Sequence, residues 1–275
     1  MEAQERIIVA LDVDSPEKAL KLVEATKGKV GCYKIGLEFI NSMLAGIINP
    51  KLYSKSVTNL GKIHGLFKML DEIFWDGKFS DIPNTVSGAV KAVGRISGVR
   101  MLNVHCLGGP EMMSEAIKAA EEIAEETGSQ PLVLGVTILT SLNFQDLEMM
   151  GIVKTLGDLS EEIQQEIIRK QVEDLAVLAE DSGLDGVICS PKEIKVVRGR
   201  CGPNFLIVTP GIRPVWTQKN DQKRIMTPKE AIAAGADYLV IGRPITKPPD
   251  DIGNPGYAAT SIAQEIEEGL EERKQ

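Results

Sequence analysis

Eight times along this chain a short apolar run gives way to a stretch whose apolar residues recur every three or four positions. The first run, Ile7-Ile8-Val9-Ala10-Leu11, is uninterrupted, as expected of a strand buried on both faces. Further strands are predicted at 30–35, 73–75, 99–104, 132–136, 186–189, 205–208 and 238–241. Between them lie helical signals. Ser15-Pro16 offers an N-cap followed by proline in the first turn. Val86, Ala89, Val90, Val93 and Ile96 share one helical face, as do Ala259, Ile262, Ala263, Ile266 and Leu270. Thr227 and Glu230 have capping-box spacing, and Gly235 closes that helix. A doubly wound open sheet would need a glycine-rich turn after its first strand, and Asp12-Val13-Asp14-Ser15 is no such turn. The economical solution is an α/β fold of the TIM type, one closed parallel (β/α)8 barrel spanning residues 1–275.

The remaining composition narrows the function. The 275 residues suit one barrel of about 250. A net charge of −8 leaves no broad basic surface, so no nucleic-acid partner is expected, and an anionic ligand must be held by local donors. No apolar run approaches the roughly 20 residues of a membrane span, and the first six residues lack a signal-peptide pattern. Cys32, Cys106, Cys189 and Cys201 are scattered without Cys-x-x-Cys spacing, which predicts reduced core thiols and a cytoplasmic protein.

In such a barrel the C-terminal ends of the strands form the mouth of the active site. Residues 74–85, Phe-Trp-Asp-Gly-Lys-Phe-Ser-Asp-Ile-Pro-Asn-Thr, set Asp76, Lys78 and Asp81 at the end of strand three. Alternation would point Asp76 and Lys78 the same way if the extended backbone continues through Gly77. Two carboxylates crowding one ammonium can fix its charge and direction. Taken singly, such a triplet also reads as a solvated surface cluster. However, the same end collects Asp12, Lys34, His105, the Thr140-Ser141 loop, Arg213 and Gly242-Arg243. Lys34 alone could be a surface lysine and His105 a packing residue, but barrel stability does not require so many charged groups at one end. Loops after strands seven and eight commonly hold phosphate in barrels. There Gly242 would admit an oxyanion to backbone N–H groups and Arg243 would supply forked, charge-assisted bonds. Asp221-Gln222-Lys223-Arg224 adds donors over the same region.

These residues resemble the orotidine 5′-phosphate decarboxylase family. Val9-Ala10-Leu11-Asp12, Tyr33-Lys34-Ile35-Gly36, the Asp76 to Thr85 element, Leu139-Thr140-Ser141, Val208-Thr209-Pro210-Gly211-Ile212-Arg213, Asp221-Gln222-Lys223-Arg224 and Ile241-Gly242-Arg243-Pro244 look like its motifs, in its order. The likeness implies cofactor-free decarboxylation of orotidine 5′-phosphate to UMP in de novo pyrimidine synthesis. It implies that Lys78 protonates pyrimidine C6 and that Asp76 stands beside the departing CO2 group. Lys34 would pair with Asp76 and reach the ribose, whose hydroxyls Asp12 would grip. Asp81 and Thr85 match positions that reach across a homodimer interface into the neighbour's site. Thr140 resembles a residue near the pyrimidine and lid, while Arg213, Gln222, Gly242 and Arg243 resemble phosphate and lid contacts.

The chain departs from the pattern at Ser80, where the family usually has histidine, and at Gly77, where it usually has an apolar residue. The interval from Lys34 to Asp76 is also long, and the surplus is expected around 49–68, a polar segment containing Pro50, Gly61 and Gly65. Two other functions stay open at this point. One is a Mg2+-dependent hexulose or keto-gulonate phosphate lyase of the same barrel type, which usually carries a metal-binding glutamate where this chain has Lys34. The other is a non-catalytic phosphate-binding barrel.

Overall fold

The computed structural model describes residues 1–49, 58–154, 157, 159–217 and 226–274. Its eight strands are β1 (Ile7–Ala10), β2 (Cys32–Gly36), β3 (Ile73–Phe79), β4 (Val99–His105), β5 (Leu132–Val136), β6 (Gly186–Ile188), β7 (Leu206–Thr209) and β8 (Tyr238–Ile241). They pair in parallel in sequence order. Register contacts such as Ile8 opposite Val240 join β1 to β8 and close the barrel.

Alternation along the strands explains why the barrel is filled rather than hollow. Ile8, Ala10, Cys32, Phe74, Met101, Leu134, Val208 and Val240 face inward and pack on one another. Their neighbours Ile7, Val9, Tyr33, Ile35, Ile73, Leu102, Val104, Val187, Ile207 and Leu239 face outward against the helices. Two-residue steps from the inward set lead to Asp12, Lys34, Asp76 and Asn103, so the pleat that fills the barrel also delivers polar groups to its mouth.

The outer layer follows from helical periodicity and capping. It begins with α1 (Pro16–Thr26), whose N-cap Ser15 accepts from the Lys18 N–H. Between β2 and β3 come α2 (Leu37–Ile48) and α3 (Thr58–Met69). Then follow α4 (Pro83–Gly94), α5 (Pro110–Thr127), α6 (Phe144–Met149), α7 (Glu161–Asp181), α8 (Ile194–Cys201), α9 (Pro228–Ala234), α10 (Arg243–Thr246) and α11 (Pro255–Arg273). Val86, Val90 and Val93 of α4 are buried, as the sequence spacing predicts. The Thr227–Glu230 capping box forms in both directions, and Gly235 ends α9 at φ 117°, a left-handed conformation that favours glycine.

Of the surplus segment at 49–68, residues 50–57 lie outside those described. Most of the remainder is α3, whose Leu66 is fully buried and whose Lys62 Nζ lies 2.6 Å from Glu17 Oε1 on α1. The polar composition hid a helix that packs on its neighbour. All four cysteines are free and buried. Among the described residues, no helix is long and apolar enough to cross a membrane.

Candidate active site

A chain of charge links the ends of β1, β2 and β3. Lys34 Nζ lies 3.0 Å from Asp12 Oδ1 and 2.9 Å from Asp76 Oδ2, while Lys78 Nζ lies 2.6 Å from Asp76 Oδ1. The Lys34 and Asp76 side chains are 10% and 9% exposed, against 31% for Lys78. The cluster is therefore largely withdrawn from water while the Lys78 ammonium still faces the opening. Burial alone pulls the Lys34 ammonium towards neutrality, but Asp76 and Asp12 outweigh it, and its pKa ends above the ordinary lysine value. Burial likewise favours a protonated Asp76. Lys34, Lys78 and the hydrogen bonds from Lys78 and Asn103 outweigh it, so the carboxylate stays ionised below its usual range.

Lys78 does not reach Asp76 by simple alternation. Its φ is 47°, and it is the one non-glycine residue with positive φ among those described. Trp75 pairs with Leu102 and Phe79 with Val104, so three residues of β3, Asp76, Gly77 and Lys78, stand opposite Asn103 alone. This bulge re-aims the lysine, as bulges near functional sites do. Gly77 is suited to the bend, since a Cβ there would meet the Phe79 ring at 2.9 Å. The expectation of regular extended backbone through Gly77 is thus corrected: the two side chains converge across a bulge.

The cluster lines one side of a cavity of about 620 Å3 at the C-terminal ends of the strands. Asp12, Lys34, Asp76, Lys78, Thr140, Arg213, Gly242 and Arg243 all border it. Arg213 is buried, and its Nη1 donates to the Ile212 carbonyl at 2.9 Å. Arg243 opens the short α10 at the rim, with Gly242 before it. Glu38 and Lys247 also border the cavity, and nothing in their sequence surroundings singled them out.

Asp81 and Thr85 are not among the residues that line the cavity. Both are exposed beside it, where the Asp81 carboxylate accepts from the Ile82 N–H at 2.7 Å just before α4. Gln222 falls in 218–225, outside the described residues, together with Asp221, Lys223 and Arg224. His105 is half-buried at the end of β4. Burial and then the Lys78 cation lower its pKa, so it is neutral at physiological pH.

Sequence reasoning missed Asn103, which is fully buried. Its Nδ2 donates to Asp76 Oδ1 and its Oδ1 accepts from the Lys78 backbone N–H, both at 2.7 Å. The available signal was its inward parity, two residues beyond Met101 and two before His105.

Comparison with known proteins matches the model of the orotidine 5′-phosphate decarboxylase / HUMPS family to residues 5–254. The orotidine 5′-phosphate decarboxylase of Trichlorobacter lovleyi is 43% identical over 270 residues, covering 98% of each chain. That of Syntrophomonas wolfei is 41% identical over 269 residues, covering 98% of this chain and all of its own. Among solved structures, the orotidine 5′-phosphate decarboxylase of Lactobacillus acidophilus superposes with a TM-score of 0.71 at 32% identity, covering 94% of this chain and 98% of its own.

Proposed function

The chain belongs to the orotidine 5′-phosphate decarboxylase / HUMPS family, and we infer from that membership and from its site that it is a carboxy-lyase. It converts orotidine 5′-phosphate to UMP in pyrimidine biosynthesis. The observation that carries this assignment to the residues is the Lys78 ammonium, held 2.6 Å from a buried Asp76 that Lys34 braces from the other side, in a cavity that Arg213 and Arg243 also line.

The geometry suits a reaction that must place negative charge on carbon. As the C6–carboxylate bond breaks, its electron pair remains on C6 and CO2 departs. A fixed ammonium beside that carbon stabilises the growing charge in a water-poor pocket. Lys78 then gives its proton to C6 and leaves as a neutral amine, to be reprotonated from solvent. Asp76 repels the bound substrate carboxylate and is relieved as that charge leaves. Lys34, whose pKa Asp76 and Asp12 raise against the effect of burial, helps keep Asp76 ionised for that role. Asp12 and Lys34 face the ribose, while Arg213, Gly242, Arg243 and Gln222 take the phosphate. Binding energy from that remote group draws the reacting carbon against Lys78. Thr140, which borders the cavity, lies near the pyrimidine in this scheme. No cofactor enters this scheme.

The protein acts in the cytoplasm as a homodimer whose sites are shared. Asp81 and Thr85 lie exposed outside their own cavity, beside Ile82, which is 67% exposed, and this supports a surface that completes a neighbour's site. Mixing Asp81→Ala chains with Lys78→Ala chains then restores part of the activity, and its absence in proven hybrid dimers refutes sharing.

The direct test of the function follows orotidine 5′-phosphate absorbance with purified protein, with and without EDTA. UMP formation indifferent to chelator is expected. No turnover, or inhibition reversed by Mg2+, overturns the assignment.

A further inference from the structure

We propose that Asn103 is a positioning residue for the decarboxylation, holding the Asp76 carboxylate and the Lys78 backbone in register across the β3 bulge. The inference rests on the function proposed above and assigns a role to a residue outside the Lys34, Asp76 and Lys78 cluster.

The argument begins with the sheet. Between paired positions 75 and 79 on β3 there are three residues, and between 102 and 104 on β4 there is one. A parallel ladder cannot satisfy three backbone N–H groups from one opposing residue, so a bulge leaves a donor without its strand partner. That donor is the Lys78 N–H, and the Asn103 side-chain oxygen takes it at 2.7 Å. The same amide turns its Nδ2 to Asp76 Oδ1, also at 2.7 Å. Only one amide orientation satisfies both contacts, because the N–H must meet an oxygen and the carboxylate must meet a donor.

The consequence lies in how Asp76 is shared. Its Oδ1 accepts from both Asn103 and Lys78, while its Oδ2 faces Lys34. Asn103 thereby fixes the carboxylate plane, and with it the direction in which the Lys78 ammonium leans. It also supports the left-handed backbone at Lys78, which L-residues adopt rarely. No other side chain of this size serves both ends. Aspartate keeps the acceptor and loses the donor, and leucine keeps the volume and loses both.

The test uses Asn103→Leu and Asn103→Asp in the full chain. Misalignment of about 1 Å costs about 10²-fold in rate, so Asn103→Leu is expected to lower kcat about 10²-fold while KM stays within about threefold. Asn103→Asp faces Asp76 with a second carboxylate. The charged and titratable groups around Asp76 are Lys34 from β2 and Lys78 from β3, with Asp12 beyond Lys34 and half-buried His105 near by. None of these changes in the variant, so the acid limb of kcat/KM moves to higher pH. In the wild-type protein the Lys78 amide hydrogen exchanges slowly, and Asn103→Leu abolishes that protection.

Wild-type kcat in Asn103→Leu, or an unmoved acid limb in Asn103→Asp, overturns the proposal. A rapidly exchanging Lys78 amide in folded wild-type protein does the same and needs no variant to fold. The outcomes separate from those of the function itself. Wild-type protein without decarboxylase activity refutes the assigned reaction, whereas active wild-type protein with an unprotected Lys78 amide refutes only the role of Asn103.

Discussion

Replacing Asp76 with asparagine keeps the side chain's shape and removes one charge from a cluster of four. The wild-type carboxylate is 2.9 Å from Lys34 Nζ and 2.6 Å from Lys78 Nζ. At an effective dielectric of about 20, each contact is worth about 6 kcal/mol before desolvation. The two ammoniums it separates sit on opposite oxygens and repel each other, which offsets part of that attraction. Withdrawing the carboxylate from water costs several kcal/mol, and breaking a buried pair by removing one partner leaves a net loss of about 3–5 kcal/mol. Against a total of about 5–15 kcal/mol, that is a large share. The expected outcome is a folded but much less stable variant without decarboxylase activity.

The sign of its pH dependence separates this reasoning from a simple packing defect. In the wild type the raised Lys34 pKa contributes stability that is complete below the unfolded lysine value, about 10.4, and is lost as pH rises through the higher folded value. Without Asp76, burial dominates and the folded pKa drops below the unfolded one. Stability of the variant therefore increases as pH rises towards that unfolded value. Urea unfolding followed by circular dichroism, at fixed protein concentration across the range below that unfolded value, compares the level wild-type contribution with the rising one of the variant. A loss under about 1 kcal/mol, or pH curves that run parallel in the two proteins, would show that solvent already screens the cluster.

Lys78→Ala should lower kcat by at least about 10³-fold, losing both proton donor and charge, while UMP binding measured by calorimetry changes little. Arg243→Ala should weaken UMP by about 10²-fold, the worth of charge-assisted bonds of about 2–3 kcal/mol. Uridine binding should be unchanged, and an equal loss for the nucleoside would contradict the phosphate role. Glu265 on α11 buries both carboxylate oxygens without a partner in hydrogen-bond geometry among the described residues. Burial and then Glu268 and Glu230 push its pKa up to about 7, offset in part by the Val215 amide. A raised carboxylate pKa gives stability that is complete below the unfolded value and lost as pH climbs to the folded one. Melting temperature should accordingly fall between about pH 4.5 and pH 7, and Glu265→Gln should flatten that fall and melt higher at pH 8. Parallel profiles in a differential scanning experiment would count against it.

The barrel was legible because both of its periodicities are local. Ile7 to Leu11 reads as a doubly buried strand without reference to any other residue, and Thr227 with Glu230 caps α9 within one turn. Lys34, Asp76 and Lys78 were legible for a related reason: strand ends share one rim in this architecture, so three charges at the ends of two neighbouring strands must meet there. The bulge was not legible, since it is a mismatch in count between β3 and β4, and neither strand alone carries a mismatch. Asn103 escaped with it, because an asparagine in an apolar strand gains meaning only from the unpaired N–H opposite. The second helix before β3 escaped because its apolar residues Ile63, Leu66, Phe67 and Met69 are interleaved with Gly61, Gly65 and two lysines, and of these four only Leu66 is fully buried.

Closure of the barrel joins the beginning of the chain to its end. β1 lies against β8, so Asp12, made before β2 to β8, borders the same cavity as Arg243, made after all eight strands. A nascent chain on the ribosome can hold the residues of its first four strands long before β8 emerges, yet it has no cavity for a nucleotide during that time. The cavity is therefore complete only once β8 has joined β1 and closed the barrel.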